Sequence, residues 1–121
     1  MKLKNVLVTV SDMERSKKFY RELFGLNVIL DQEGNAILTE GLVLQDIKIW
    51  ENCIEKSVVK YNHAAGLYFE EADMDAFMEK LSHYSEPIRY VNQLPIRGQK
   101  VVRLYDPDGN LIEVAAPALL Q

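Results

Sequence analysis

The sequence predicts an α+β protein made of two similar halves, each with the order strand, helix and three strands. The succession of apolar, helical and turn-forming patterns in the first half of the 121 residues recurs in the second half. The pair Asp12-Met13 at the start of the first predicted helix recurs 61 residues later as Asp73-Met74. With 48% hydrophobic and 26% charged residues, the chain also predicts a single folded domain over residues 1–121.

The first half begins with a predicted strand and helix. Residues 3–10 are rich in β-branched and apolar side chains, which favours a buried strand. A helix is predicted over residues 12–24, because Ser11 and Glu14 have the spacing of a capping box and Gly25 is typical of a helix end.

Three shorter strands complete the first predicted module, which spans residues 1–50. They are separated by Gly34 and Gly41, which lie in turn-forming surroundings. The three strands are predicted over residues 26–31, 35–39 and 42–50.

The second predicted module, residues 63–121, repeats this order after a polar connector over residues 51–62. Asp73 is predicted as the N-cap of a helix whose apolar face includes Phe77 and Leu81. Its strands are predicted over residues 64–71, 88–92, 99–105 and 110–115, with a turn at residues 106–109 between the last two.

Composition excludes several classes of partner. The net charge of −4, without a visible basic cluster, argues against nucleic-acid binding. No apolar stretch is long enough for a signal peptide or a membrane span, so we expect no membrane partner. Cys53 is the sole cysteine and cannot form an intrachain disulfide, which predicts a cytoplasmic protein with an ordinary thiol.

Two motifs resemble the vicinal oxygen chelate superfamily, which contains glyoxalases, bleomycin-resistance proteins and extradiol dioxygenases. They are Val-Ser-Asp-Met-Glu-Arg-Ser-Lys-Lys-Phe-Tyr-Arg-Glu-Leu-Phe-Gly at 10–25 and Asp-Pro-Asp-Gly-Asn-Leu-Ile-Glu-Val at 106–114. The resemblance implies paired βαβββ modules whose mixed sheets curl around a cleft, with helices outside and a small ligand inside. It also implies a homodimer.

Metal-using members of the superfamily take ligands from the first and last strand of each module, and the resemblance carries these positions onto four residues of this chain. They are Asn5, Gly66, Gln45 and Glu113. Since a carboxamide and a glycine replace two expected donors, we expect no metal cofactor. The alternative is a divalent metal (Ni, Co, Zn or Mn) held by Glu113 and His63.

Strand alternation and the resemblance together predict the ligand-binding residues. Tyr68 is expected as an aromatic wall or as a space-filling residue, and Trp50 as a lid over the ligand or a contact in the dimer. Arg103 is expected to bind an anionic group or to pair with a neighbouring acid, and Glu113 to act as a general base or to anchor a basic group. The predicted set is Asn5, Thr9, Gln45, Trp50, Gly66, Tyr68, Arg103 and Glu113.

Three functions are compatible with this pattern. The first is a glyoxalase- or bleomycin-resistance-like protein that binds a small molecule in its cleft without a metal. The second is a metal-dependent lyase or isomerase of the glyoxalase I type, in which Glu113 would be the catalytic carboxylate. The third is a degenerate module that acts in protein interaction.

Overall fold

The structure is a computed structural model and describes residues 1–117. The chain divides into two compact units, residues 1–60 and residues 61 onward. Each unit contains one four-stranded mixed sheet with the strand and helix order βαβββ, and in the first unit a further helix follows this order. The predicted α+β class with two βαβββ modules is therefore confirmed.

The first unit has the sheet order β1-β4-β3-β2, with β1 and β4 parallel and the other neighbours antiparallel. A 3₁₀ turn, Thr39–Gly41, joins β3 to β4. The elements of this unit are β1 (Val6–Val10), α1 (Met13–Phe24), β2 (Val28–Gln32), β3 (Asn35–Leu38), β4 (Leu42–Asp46) and α2 (Ile47–Ile54).

Helix α1 buries an aromatic face formed by Phe19 and Tyr20, whose rings meet edge to face with centroids 5.1 Å apart. The predicted capping box at Ser11 is wrong. Asp12 is the N-cap, because its extended backbone lets its carboxylate accept a hydrogen bond from the Arg15 amide at 3.1 Å. Gly25 ends the helix at φ 69°, as predicted.

The predicted strand over residues 42–50 is too long. Strand β4 ends at Asp46, and this residue caps helix α2 by accepting hydrogen bonds from the amides of Lys48 and Ile49 at 3.0 and 3.1 Å. Trp50 therefore lies in a helix and does not end a strand. The apolar run over residues 42–50 is compatible with a strand or a helix, and the cap formed by the Asp46 carboxylate marks where the strand ends and the helix begins.

The second unit has the sheet order β5-β8-β7-β6, with β5 and β8 parallel. Asp73 caps its helix, as predicted, by accepting a hydrogen bond from the Ala76 amide at 3.0 Å. The elements are β5 (Gly66–Glu70), α3 (Met74–His83), β6 (Arg89–Tyr90), β7 (Val101–Tyr105) and β8 (Leu111–Ala115).

Strands β7 and β8 alternate between buried and accessible residues. On one face Val102, Leu104, Ile112 and Val114 are almost completely buried. Helix α3 adds Met74, Phe77 and Leu81 to the buried residues of the unit. The intervening residues of these strands point to the opposite face, which is the more accessible one.

A tight turn holds β7 and β8 in register. The buried carboxylate of Asp106 accepts hydrogen bonds from the amides of Asp108 and Asn110, both at 2.9 Å, and from Asn110 Nδ2 at 2.8 Å. Gly109 takes φ 86° in this turn, where the ring of Tyr61 leaves no room for a Cβ atom. The motif at residues 106–114 thus fixes the position at which β8 begins.

Candidate functional site

The accessible face of the second sheet carries the main group of candidate functional side chains. One row across β5, β8 and β7 pairs Tyr68 with Glu113 and Glu113 with Arg103. We call these three residues the polar row. Because residues paired across a sheet point to the same face, the polar row places a phenol, a carboxylate and a guanidinium side by side.

Within the polar row, Arg103 and Glu113 form an ion pair. The Nε atom of Arg103 donates to Oε1 of Glu113 at 2.7 Å, and their side chains are 51% and 33% exposed. A pair as accessible as this one contributes little to stability, about 0–1 kcal/mol. Its main consequence is chemical, since one oxygen of the Glu113 carboxylate is held by Arg103 Nε.

Gly66 lies beside the polar row on β5. It pairs with Leu111 on β8 and is itself exposed. A Cβ atom at this position would lie 3.4–3.6 Å from Leu111, which is ordinary packing. Gly66 lies two residues before Tyr68 on β5 and therefore belongs to the same face of the sheet, to which it contributes only backbone.

A second group, which we call the aromatic group, lies on the next row and consists of Tyr61, His63, Arg89 and Tyr105. Tyr105 pairs with Arg89 on β6 and lies two residues from Arg103 on β7, so it shares the accessible face. Its hydroxyl contacts His63 Nε2 at 2.5 Å. Its ring lies 4.8 Å from that of Tyr61, whose hydroxyl accepts a hydrogen bond from Arg89 Nη1 at 2.7 Å.

The segment before β5 has an unusual backbone that positions the aromatic group. Tyr61 and His63 both adopt left-handed conformations, with φ 57° and 61°. Such conformations are costly for residues with side chains and persist where surrounding contacts enforce them. Here the contacts are the packing of the Tyr61 ring on Gly109 and the bond between His63 and Tyr105.

The predicted residues of the first unit lie on and around its own sheet. Thr9 pairs with Gln45 on β4, and Gln45 pairs with Asn35 on β3. Gln45 is buried, and its Oε1 accepts a hydrogen bond from Asn35 Nδ2 at 2.8 Å. Asn5 precedes β1, beside the turn that contains Gly41. Gln45 is thus engaged within the sheet.

Trp50 is half-buried on helix α2, and Cys53 is exposed on the same helix. Neither residue is part of the polar row or the aromatic group. Of the predicted ligand-binding residues, Thr9 and Gln45 lie side by side in the first unit. In the second unit, four of them share one face of the sheet: Gly66, Tyr68, Arg103 and Glu113.

The donor set at Glu113 does not suit a divalent metal. Glu113 is bound to the Arg103 guanidinium, whose positive charge opposes a cation, and Gly66 supplies no donor atom. His63 contacts a phenol. Among residues 1–117 no group of three or more His, Cys, Asp or Glu side chains is arranged to hold a metal ion.

Sequence reasoning missed three members of the aromatic group: Tyr61, Arg89 and Tyr105. Tyr105 was detectable, because it follows Arg103 by two residues on the same strand and so points to the same face. Arg89 and Tyr61 gave no such signal. One lies on a strand of only two residues, and the other lies in a segment without periodicity.

These features define a class: a protein of two βαβββ modules whose second sheet has a polar and aromatic face. The sequence matches the glyoxalase-like domain family over residues 3–118, and the chain belongs to this family. This membership confirms the resemblance to the vicinal oxygen chelate superfamily. No curated protein matches the sequence.

Solved structures of this fold include proteins of several kinds. A protein of unknown function from Agrobacterium tumefaciens has a TM-score of 0.78 and 29% identity, covering 98% of this chain and 95% of that one. An antibiotic-binding protein from Streptomyces, TnmS3, has a TM-score of 0.66 and 24% identity, covering 98% and 97%. A fosfomycin resistance protein from Listeria monocytogenes has a TM-score of 0.71 and 14% identity, covering 98% and 95%.

Proposed function

We propose that this glyoxalase-like protein binds a small organic molecule on the accessible face of its second sheet, without a metal. The observation that carries the proposal is the bond between Arg103 and Glu113 at 2.7 Å. This bond places a cation where a metal-using protein would need the carboxylate to be available.

The chemistry of the face favours a flat ligand with an anionic group. Tyr68 and Tyr105 supply aromatic surface, and Tyr68 is 59% exposed. Arg89 and Arg103 are the exposed cations of the face, and guanidinium groups bind carboxylates and related anions through paired hydrogen bonds. The antibiotic-binding protein and the fosfomycin resistance protein provide examples of this fold in proteins that handle small molecules.

The enzyme of the glyoxalase I type is the less supported function. It requires a Lewis acid at the site and a carboxylate that is free to move a proton. Glu113 is held by Arg103 and has no histidine ligand paired with it among the contacts of residues 1–117. We therefore assign Glu113 to ligand binding and to the orientation of Arg103.

Metal analysis of the purified protein is the first test. We expect substoichiometric metal, and we expect Ni²⁺, Co²⁺, Zn²⁺ and Mn²⁺ to shift the melting temperature equally in the parent protein and in Glu113→Gln. Near-stoichiometric metal that stabilises the parent protein but not Glu113→Gln would overturn the metal-free proposal.

Binding of the dye 1-anilinonaphthalene-8-sulfonate, an aromatic anion, tests the location of the site. We expect Arg103→Met and Tyr68→Ala each to weaken binding about tenfold, which corresponds to about 1.4 kcal/mol. Arg21→Met, at an exposed arginine of α1, is the matched control and should leave the affinity unchanged. Equal affinities in all four proteins would place the dye elsewhere and contradict the proposed site.

We further propose a homodimer that forms along strand β2. This strand is at the edge of its sheet, and all five of its residues are exposed. Val28, Ile29 and Leu30 are 41%, 66% and 47% exposed. An exposed edge strand with apolar residues is a template for pairing with another strand, and a second copy presents the same strand.

Light scattering coupled to size exclusion tests the homodimer at micromolar concentration. We expect twice the chain mass of 13.9 kDa for the parent protein and a single chain mass for Ile29→Lys. Ile96→Lys, at a residue that is 70% exposed in the second unit, is the control and should remain dimeric. A parent protein that elutes as a monomer would refute the proposal.

A cytoplasmic location is part of the same proposal. The single cysteine, Cys53, is exposed and unpaired, which suits a reducing compartment. No helix within residues 1–117 is long and apolar enough to cross a bilayer.

A further inference from the structure

A groove on the second unit lies on the helix side of the sheet, away from the polar row and the aromatic group. Its volume is ≈ 340 Å³. Tyr90 lines it from β6, and this residue points to the opposite face from its neighbour Arg89. The lining residues are Asp75, Met78, Glu79, Ser82, Tyr90, Pro95 and Arg97.

Helix α3 forms one wall of this groove with a regular set of side chains. Asp75, Met78, Glu79 and Ser82 follow the spacing of a single helix face. Two carboxylates one turn apart therefore lie along the wall, with the half-buried side chain of Met78 beside them. This arrangement places negative charge next to an apolar surface.

The segment that follows β6 supplies the rest of the lining, together with Tyr90. Arg97 brings a guanidinium, and the half-buried Pro95 adds apolar surface. Within residues 1–117, neither Asp75 nor Arg97 forms an ion pair with another side chain. Burial raises the pKa of the Tyr90 phenol, which is consistent with an apolar floor. The groove thus holds the carboxylate of Asp75 and the guanidinium of Arg97 without ion pairs around an apolar surface, while the Glu79 carboxylate lies 3.5 Å from His83 Nδ1.

We propose that this groove binds a zwitterionic α-amino acid with an apolar side chain. The ammonium group of the ligand lies between the carboxylates of Asp75 and Glu79, and its carboxylate binds Arg97. Its side chain packs on Met78 and Tyr90. The volume falls in the range of small-molecule sites, about 300–1,000 Å³.

The charges of the groove select against simpler ligands. A simple amine would leave the Arg97 guanidinium without a partner, and a simple carboxylate would be repelled by two carboxylates on α3. A zwitterion satisfies both walls at once and leaves the local charge unchanged. This site is independent of the proposed function, because it shares no residue with the polar row or the aromatic group.

Backbone amide NMR of the full chain tests the proposal with three matched probes: L-phenylalanine, phenethylamine and 3-phenylpropanoate. We expect L-phenylalanine at millimolar concentration to shift amides of α3 and of the segment from Tyr90 to Arg97 in a saturable way. The amine and the carboxylate should each bind at least about tenfold more weakly, because each lacks one charged contact.

Variants separate this site from the sheet face. Asp75→Asn should weaken L-phenylalanine about tenfold, and Arg97→Gln should remove its advantage over phenethylamine. Arg103→Gln, on the sheet face, should change neither result. The proposal is overturned if L-phenylalanine shifts no amide of the groove or if the three probes bind equally. It is also overturned if Arg103→Gln weakens the binding of L-phenylalanine.

Discussion

Replacement of Asp106 by alanine should destabilise the second unit more than any surface substitution in the chain. The Asp106 carboxylate is 2% exposed and accepts three hydrogen bonds of 2.8–2.9 Å, from the amides of Asp108 and Asn110 and from Asn110 Nδ2. Asp106→Ala removes both acceptor oxygens and so deprives the amides of Asp108 and Asn110 of their bonds to this carboxylate in a buried turn.

The magnitude follows from these contacts. A hydrogen bond to a charged group contributes about 1.5–3 kcal/mol, and the three bonds of Asp106 are not additive because they share one carboxylate. We therefore expect a loss of about 3–5 kcal/mol in the free energy of unfolding. At roughly 4 °C per kcal/mol for a chain of this size, the melting temperature should fall by about 12–20 °C.

Urea unfolding followed by circular dichroism measures the effect, and Asp106→Asn is the matched control. Asparagine keeps one carbonyl oxygen for the two backbone amides, and Asn110 can turn its own amide to accept from the new NH₂ group. We expect this variant to lose only about 1–2 kcal/mol. A loss below about 1 kcal/mol for Asp106→Ala, or equal losses in the two variants, would show that the carboxylate does not hold the turn.

Three further predictions concern other contacts. Gly109→Ala should lower the free energy of unfolding by about 2 kcal/mol more than Gly98→Ala, as measured by thermal unfolding. Both glycines have φ 86°, but only a Cβ atom at Gly109 would meet a ring, that of Tyr61, at 2.7 Å. Equal losses in the two variants would contradict this. The pKa of Lys17 is raised above 10.5, mainly by its hydrogen bond to Asp31. Asp31→Asn removes the charged partner and should lower the free energy of unfolding by less than about 1 kcal/mol at neutral pH, because Asp31 is 52% exposed. That stabilisation is fully present below pH 10.5 and is lost as the pH rises through the raised pKa of Lys17. Urea unfolding of the parent protein and of Asp31→Asn at neutral and strongly alkaline pH measures it. A stability difference between the two proteins that persists in strong alkali would refute the pairing. Asp46→Ala should cost about 1 kcal/mol and reduce helicity, whereas Asp46→Ser should retain most of the cap; indistinguishable variants would exclude capping by this side chain.

The fold was predictable where local patterns and side-chain chemistry agree. Helix α1 ends at Gly25 as predicted, and the burial of Ile112 and Val114 follows the alternation of β8. Helix α2 was missed because the run from Leu42 to Trp50 is apolar enough for either a strand or a helix. The residue that signals the start of this helix is its N-cap, Asp46, which the predicted strand over residues 42–50 includes.

The functional site was predictable only in part. Alternation placed Arg103 and Glu113 on the face away from the core, and their pairing follows from the hairpin register. The aromatic group depends on left-handed backbone at Tyr61 and His63. Histidine is among the residues enriched in that conformation, but tyrosine is not, and at Tyr61 it is supported by contact with a distant residue, Gly109.

The confinement of each sheet to one half of the chain has a consequence for biosynthesis. All four strands of the first sheet are encoded within residues 1–60, so a ribosome releases a complete set of pairing partners before it has finished the second half. Strand β1 is synthesised first, but its partner β4 is synthesised last of the four, after β2 and β3 can already pair as a hairpin. The nascent chain therefore carries an unpaired, apolar first strand until residue 46 is exposed, and this interval is when it most needs protection from other nascent chains.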